Sequence, residues 1–348
     1  MQDATVVNGG AGIANSGGNY AAGNQSQNGA VNVQQASGFL GANVASGGGN
    51  TSNGTASITT GSATAVGNSS STRVNQSAAT GGAGPVDVVV QTPTVINAGA
   101  GIANSGGNYA AGNESGNLAV NVQDADGAVA GNIASGGGNT SNGTATIVTG
   151  AADAVGNSSE TVINTSADTG DDDGLGLDVV VQAPAVINVG LGVANSGLNW
   201  AEGNESQNGA INVQIATGLF AGNFGGAGGN TSNGTAAIVT GSATGVGNSS
   251  ITNVGLAADT GDDDGLDVVV QPAFVLNAGF GLANSGFNSA RPNQSGNLAV
   301  NFQVVNGVIV VNLVDAGGNN SNGTAIIGTG AANGVGNQSF TRVRQRLA

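Results

Sequence analysis

Apolar and polar positions alternate strictly along several stretches of this chain. From Asn113 to Gln123 the odd positions read Asn113, Ser115, Asn117, Ala119, Asn121 and Gln123, and the interleaved ones close on Leu118, Val120 and Val122. A period of two places the two sets on opposite faces of a β-strand. The alternation predicts a strand whose Leu and Val face a core, with Asn and Gln on the other face stacking into amide ladders between successive strands. Further strands are predicted at 144–149, 160–164, 178–182 and 185–188. Asn-Gly, Ser-Gly and Gly-Gly steps separate them and supply tight corners. The five prolines, Pro85, Pro93, Pro184, Pro272 and Pro292, fall at or near the predicted breaks, where a missing N–H is tolerated. No stretch sustains a helical period, and the glycine density disfavours helix.

The pattern repeats. The motif Ala-Asn-Ser-Gly-x-Asn places its first Asn at Asn15, Asn104, Asn195 and Asn284, steps of 89, 91 and 89. Three more landmarks keep that register: Asn24, Asn113, Asn204 and Asn293; Asn50, Asn139, Asn230 and Asn319; Asn68, Asn157, Asn248 and Asn337. The chain therefore divides into units 1–91, 92–182, 183–271 and 272–348 of one continuous repeat protein. The two-residue slack falls at the Asp-rich insert 171–176, which reads as a loop.

The fold expected is all-β, a repeat β-solenoid (β-helix) of four units of about ninety residues. A sandwich or barrel closed within each unit is the competing architecture. Asn50 to Asn68 spans 18 residues and Asn68 to Asn104 spans 36, which suggests five rungs per unit; four rungs of about 22 residues is the competing count. At about 4.8 Å per rung, such a coil is a rod roughly 75 to 90 Å long.

Composition narrows the function. Gly accounts for 65 of 348 residues, aromatics for 3% and charged residues for 7%, against about 25% charged in ordinary globular domains. That suits a thin core repeated many times. The net charge is −15, with five cations, Arg73, Arg291, Arg342, Arg344 and Arg346. Nucleic-acid binding needs a basic footprint that the chain lacks. There is no Cys and no His, which removes disulfides, thiolate chemistry and the commonest general base and metal ligand. No apolar run is long enough to span a bilayer as a helix. Met1 followed directly by Gln2-Asp3-Ala4 suggests a secreted chain whose signal peptide has been removed.

The alternation of Asn, Ser, Ala and Gln in 112–117 and 119–123 resembles the repeats of secreted bacterial functional-amyloid subunits of the curli and Pseudomonas Fap types, and the Asn/Gly-rich repeat proteins of bacterial genomes. Curli repeats are much shorter, and the terminal Cys pair of Fap subunits is missing here. The resemblance implies an extracellular fibre subunit or matrix protein.

Candidate chemistry is sparse, and no residue is assigned a catalytic or cofactor role. Asp168, Asp171, Asp172 and Asp173, with Asp259, Asp262, Asp263 and Asp264, cluster on Gly-rich segments. Such a cluster reads first as a solvated loop that repels neighbours, with calcium as the alternative; the first unit has no carboxylates there. Glu114 and Glu205 correspond, but Gln25 and Gln294 replace them in the outer units, so paired acid–base catalysis is not expected. Asn-x-Ser/Thr triplets such as those at Asn24, Asn113 and Asn139 read as corner and ladder residues. Tyr20, Tyr109, Trp200 and Ser289 share one repeat position, as a carbohydrate platform or as a wedge closing a rung.

The function expected is a structural subunit of an extracellular bacterial fibre or biofilm matrix, not an enzyme. Its partners are copies of itself, joined head to tail through exposed strand edges, with matrix or cell-surface components as further partners. A surface adhesin or an ice-binding solenoid is the alternative. Against ice binding, Thr144-x-Thr146 recurs only once per ninety residues. A polysaccharide-acting β-helix enzyme finds no groove signature.

Overall fold

The computed structural model describes residues 1–80, 86–170, 176–261, 265–315 and 317–347. Among them every regular element is a strand. The first stretch of the chain forms β1 (Thr5–Asn15), β2 (Tyr20–Ser37), β3 (Leu40–Ser46), β4 (Thr51–Thr59) and β5 (Ala63–Ala79). The second forms β6 (Val86–Gln91), β7 (Thr94–Asn104), β8 (Tyr109–Asp126), β9 (Val129–Ser135), β10 (Thr140–Val148) and β11 (Ala152–Asp168). The third forms β12 (Leu177–Gln182), β13 (Ala185–Asn195), β14 (Trp200–Gly226), β15 (Thr231–Val239) and β16 (Ala243–Asp259). The last forms β17 (Leu266–Val270), β18 (Phe274–Asn284), β19 (Ser289–Asp315), β20 (Asn320–Gly328) and β21 (Ala332–Leu347).

All pairing is parallel, and each strand pairs with its counterpart one repeat away. Asn15 lies beside Asn104, Asn104 beside Asn195 and Asn195 beside Asn284. The sheets run β1-β7-β13-β18, β4-β10-β15-β20 and β5-β11-β16-β21, with β14 bridging β8 and β9 on one side and β19 on the other. The pairing interval is thus the whole repeat of 89 or 91 residues, not the 18 or 22 residues of a four- or five-rung unit. The internal Asn spacings mark places within one circuit. Four passes span only about 14 Å from first to last, in place of the long rod.

Each pass is a flattened arch. Side-chain bonds join Gln2 to Ser77, Asn8 to Thr72, Ser16 to Gly61, Asn24 to Ser52 and Gln34 to Val44. One number rises as the other falls. The chain therefore runs out along β1 and β2, reverses at Gly38-Phe39 and returns along β3, β4 and β5. The outgoing and returning runs pack face to face as two layers.

The interior between them inverts the expected facing. In β8, Asn117, Asn121 and Gln123 are buried, whereas Leu118 is 45% exposed. The amides line the core, and Leu118, Val120 and Val122 point outward. The reason is space. A Cβ on Gly143 would overlap the carbonyl of Gly203 and crowd the amide nitrogen of Asn113, and one on Gly112 would meet the Thr144 backbone. Where backbone approaches backbone, Gly, Ala, Ser and Asn fit and Leu does not. Small apolar clusters punctuate the amides: Ala110, Ala145 and Ile147 with their counterparts, then Val95, Ile163 and Val186, then Ala125, Ala130, Ala216 and Ala221.

Two Gly-Asn landmarks gain a meaning. Pairing skips Gly23, Gly112 and Gly203 in β2, β8 and β14, and the inward positions change parity there, from Ala110 to Asn113 and Ser115. The same happens at Gly156-Asn157 in β11. Pro93, Pro184 and Pro272 sit between strands, but Pro292 lies inside β19, at this skipped position, where it interrupts no ladder.

The Ala-Asn-Ser-Gly-x-Asn turn holds its x residue left-handed: Gly18 at φ 78°, Gly107 at 77°, Leu198 at 62° and Phe287 at 56°. A side chain there costs about 1 to 2 kcal/mol. Leu198 and Phe287 are well exposed, so little burial offsets the strain. Leu198→Gly is expected to raise unfolding free energy by about 0.5 to 1 kcal/mol, read from a urea midpoint that rises at unchanged slope.

Candidate functional site

The two ends of the stack are the candidate site. Strands β1 to β5 have a sheet neighbour on one side only, as do β18 to β21. Backbone N–H and C=O groups along both ends are therefore free to pair with another chain.

Side chains carry the same incompleteness. Asn8 donates to Asn97 at 2.7 Å, Asn97 to Asn188 at 2.7 Å and Asn188 to Asn277 at 2.6 Å. The ladders from Asn24 to Asn293 and from Asn68 to Asn337 run in the same direction, with bonds of 2.6 to 2.8 Å. The Gln ladders run the opposite way, Gln271 to Gln182 to Gln91 to Gln2 and Gln303 to Gln214 to Gln123 to Gln34. Ladders were legible in the sequence. Their position in the core and their polarity were not.

The aromatic position forms a column along the stack. Tyr20 and Tyr109 lie with ring centroids 5.3 Å apart and planes 2° from parallel, and Trp200 follows 6.4 Å from Tyr109. The Tyr20 and Tyr109 faces are turned to each other, so they are not presented side by side as a sugar platform. Beside Ser289, the guanidinium of Arg291 covers Trp200 at 4.3 Å and meets Glu202 at 3.6 Å. The Tyr109 hydroxyl donates to Glu202 at 2.5 Å. Burial, followed by that bond and the carboxylate charge, pushes the Tyr109 phenol well above its ordinary ionisation range. A phenol raised on folding contributes its stability in full below the unfolded value near 10 and loses it as pH rises through the folded value. In a Tyr20→Phe chain, the remaining phenolate absorbance is expected to appear well above pH 10 in the folded protein and near pH 10 in urea.

Asp168 and Asp259 are neighbours in β11 and β16 on the outer face, and each accepts the N–H two residues on, Gly170 at 3.0 Å and Gly261 at 3.3 Å. Asp171, Asp172, Asp173, Asp262, Asp263 and Asp264 lie outside the described residues, as does most of the insert read as a loop. Among the described residues no group of three or more carboxylates is placed to hold a metal ion. Glu114 and Glu205 pair side by side in an open outer groove, with Gln25 bonded to Glu114 at 2.8 Å. Sequence reasoning missed Asp178. It is buried beside Asp87 and Asp267, and its oxygens have no hydrogen-bond partner among the described residues. The repeated Asp-Val-Val-Val was the available signal.

The pairing interval also changes the threonine argument. Once per repeat is once per pass. Thr55, Thr144, Thr235 and Thr324 stand in one column on the outer face of β4, β10, β15 and β20, beside Thr51, Thr140 and Thr231. No helix among the described residues is long and apolar enough to cross a membrane.

No protein-family model, curated protein or solved structure matches the chain.

Proposed function

We propose that this chain is a structural subunit of an extracellular bacterial fibre or biofilm matrix: a β-solenoid with one coil per ninety-residue repeat, assembling head to tail. The carrying observation is the pair of open ends. Every paired strand of one pass matches its counterpart residue for residue, so the last pass offers the edge on which a further first pass fits. Heterologous contacts of this kind propagate as filaments. The scarcity of charge and the absence of Cys and His favour a structural role over catalysis.

Negative-stain microscopy of purified protein tests it. Unbranched filaments whose axis lies along the stacking direction, with a cross-β repeat of about 4.8 Å in diffraction, are the expected result. Monodisperse monomers at high concentration overturn it.

The threonine columns favour one second reading, a surface that orders water as ice-binding faces do. They present hydroxyls and methyls at about 4.8 Å along the stack, with the Asn53, Asn142, Asn233 and Asn322 ladder between them. Thermal hysteresis lost in Thr144→Tyr supports that reading, and its absence in the unaltered chain rules it out.

A further inference from the structure

We infer that copies join in continuous register, the last pass of one copy continuing onto the first pass of the next, with Arg291 clamped between its own Trp200 and Tyr20 of the next copy. The inference rests on the head-to-tail reading above and specifies its joint.

Three observations converge on that register. The first is ladder polarity. The interior Asn ladders described above point their amide N–H groups toward the last pass, so Asn277 and Asn337 each keep one N–H there beyond those given to Thr341 and Ser339, whereas Asn293 turns its N–H groups to Ser232, Ser295 and Ser321. At the other end the ladder oxygens of Asn8, Asn24 and Asn68 are the acceptors that no preceding pass has used. The Gln271 ladder is reversed, so Gln271 presents its oxygen at the last pass and Gln2 an N–H group at the first. Head-to-tail stacking in phase turns each unmatched donor toward an acceptor, whereas first end against first end sets Asn oxygens against oxygens.

The second is the aromatic column. Tyr20, Tyr109 and Trp200 occupy one position on three successive passes. The fourth pass has Ser289, too small to stack, and Arg291 fills the gap above Trp200 at 4.3 Å. The next member of the column is Tyr20 of the following copy. Tyr20 is well exposed, stacked on Tyr109 through one ring face. A guanidinium attracts an aromatic face on each of its two sides, so Arg291 completes the column across the joint.

The third is a cost that the same register imposes. Arg342 occupies the repeat position of Arg73, through Asn253 and Val162. In-phase joining brings these two exposed cations one strand apart. The joint is therefore favoured by salt, which screens like charges.

The test measures the critical concentration for assembly by sedimentation, with the fold of each variant checked by circular dichroism. Tyr20→Ala is expected to raise it about tenfold, from the loss of one desolvated cation–π contact. Arg73→Glu is expected to lower it about threefold by turning repulsion into an exposed ion pair, and to abolish the benefit of added salt. Arg73 is exposed on the outer face, with Val162 as its register partner, so a merely structural role leaves assembly unchanged. Filaments that form with unaltered critical concentration and salt response in both variants overturn this joint while leaving the fibre reading intact. Failure of the unaltered chain to assemble at any concentration or ionic strength overturns both.

Discussion

Gly143→Ala is expected to cost more than about 3 kcal/mol and to leave little folded protein, although it adds a single methyl group. In the interior of β10 that methyl would overlap the Gly203 carbonyl and press on the Asn113 nitrogen. Both are backbone atoms within paired strands, Gly203 between the paired residues Glu202 and Asn204, so neither can rotate away. Ordinary core overpacking costs about 1 to 3 kcal/mol because side chains absorb part of it; here no side chain is available to do so. Gly116→Ala in β8 is the control. Its methyl would meet only Cγ of Gln27, at 3.8 Å, an ordinary van der Waals contact. Reduced unfolded-state freedom favours that substitution by about 0.4 to 1 kcal/mol. Urea unfolding followed by circular dichroism compares the two. Equal stability of the two variants would mean that the sheets do not approach as closely as the glycines imply.

The close approach also explains what could be read in advance. The repeat and its phase were legible, because Asn15, Asn24, Asn50 and Asn68 recur at the spacing that becomes the pairing interval. Alternation located the strands but left their sign open. The rule that Leu and Val face inward assumes room for them, and Gly112 and Gly143, far apart in sequence, remove that room only once the arch has closed. The 18-residue spacing between Asn50 and Asn68 misled for a related reason. Both residues are interior ladder members, one before and one after the turn at 60–62, so their separation measures distance within a pass. The joint residues were individually visible, since Tyr20, Trp200 and Arg291 are rare types in this chain. Their relation was hidden, because Arg291 reaches the column from two residues beyond the aromatic position. Asp178 was hidden by the strand pattern, which gives its position in the period but no account of a carboxylate facing inward.

The polar interior leads to the second large effect. Asn113→Ala is expected to cost about 2 to 4 kcal/mol, and Asn142→Ala less than about 0.5 kcal/mol. Both residues belong to unbroken amide ladders, and sequence alone does not separate them. Asn113 is only 2% exposed. Its oxygen accepts from Asn24 at 2.7 Å and Ser52 at 3.2 Å, and its nitrogen donates to Ser115, Ser141 and Asn204. Truncation leaves Ser52 and Ser141 short of a partner in the ladder, leaves the Asn24 amide only Ser26 and Ser52, and weakens the support of Asn204, and no water reaches the site at low cost. Asn142 bonds Asn53 and Asn233 at 2.9 Å, but on the outer face, where water replaces what is lost. If the interior ladders hold the two layers together, the difference between the variants appears as a shift of the urea midpoint with the slope unchanged. Equal, small losses at both positions would place the stabilisation in the backbone pairing and the alanine and isoleucine clusters, and would leave the amides as spacers that fit a narrow gap without tightening it.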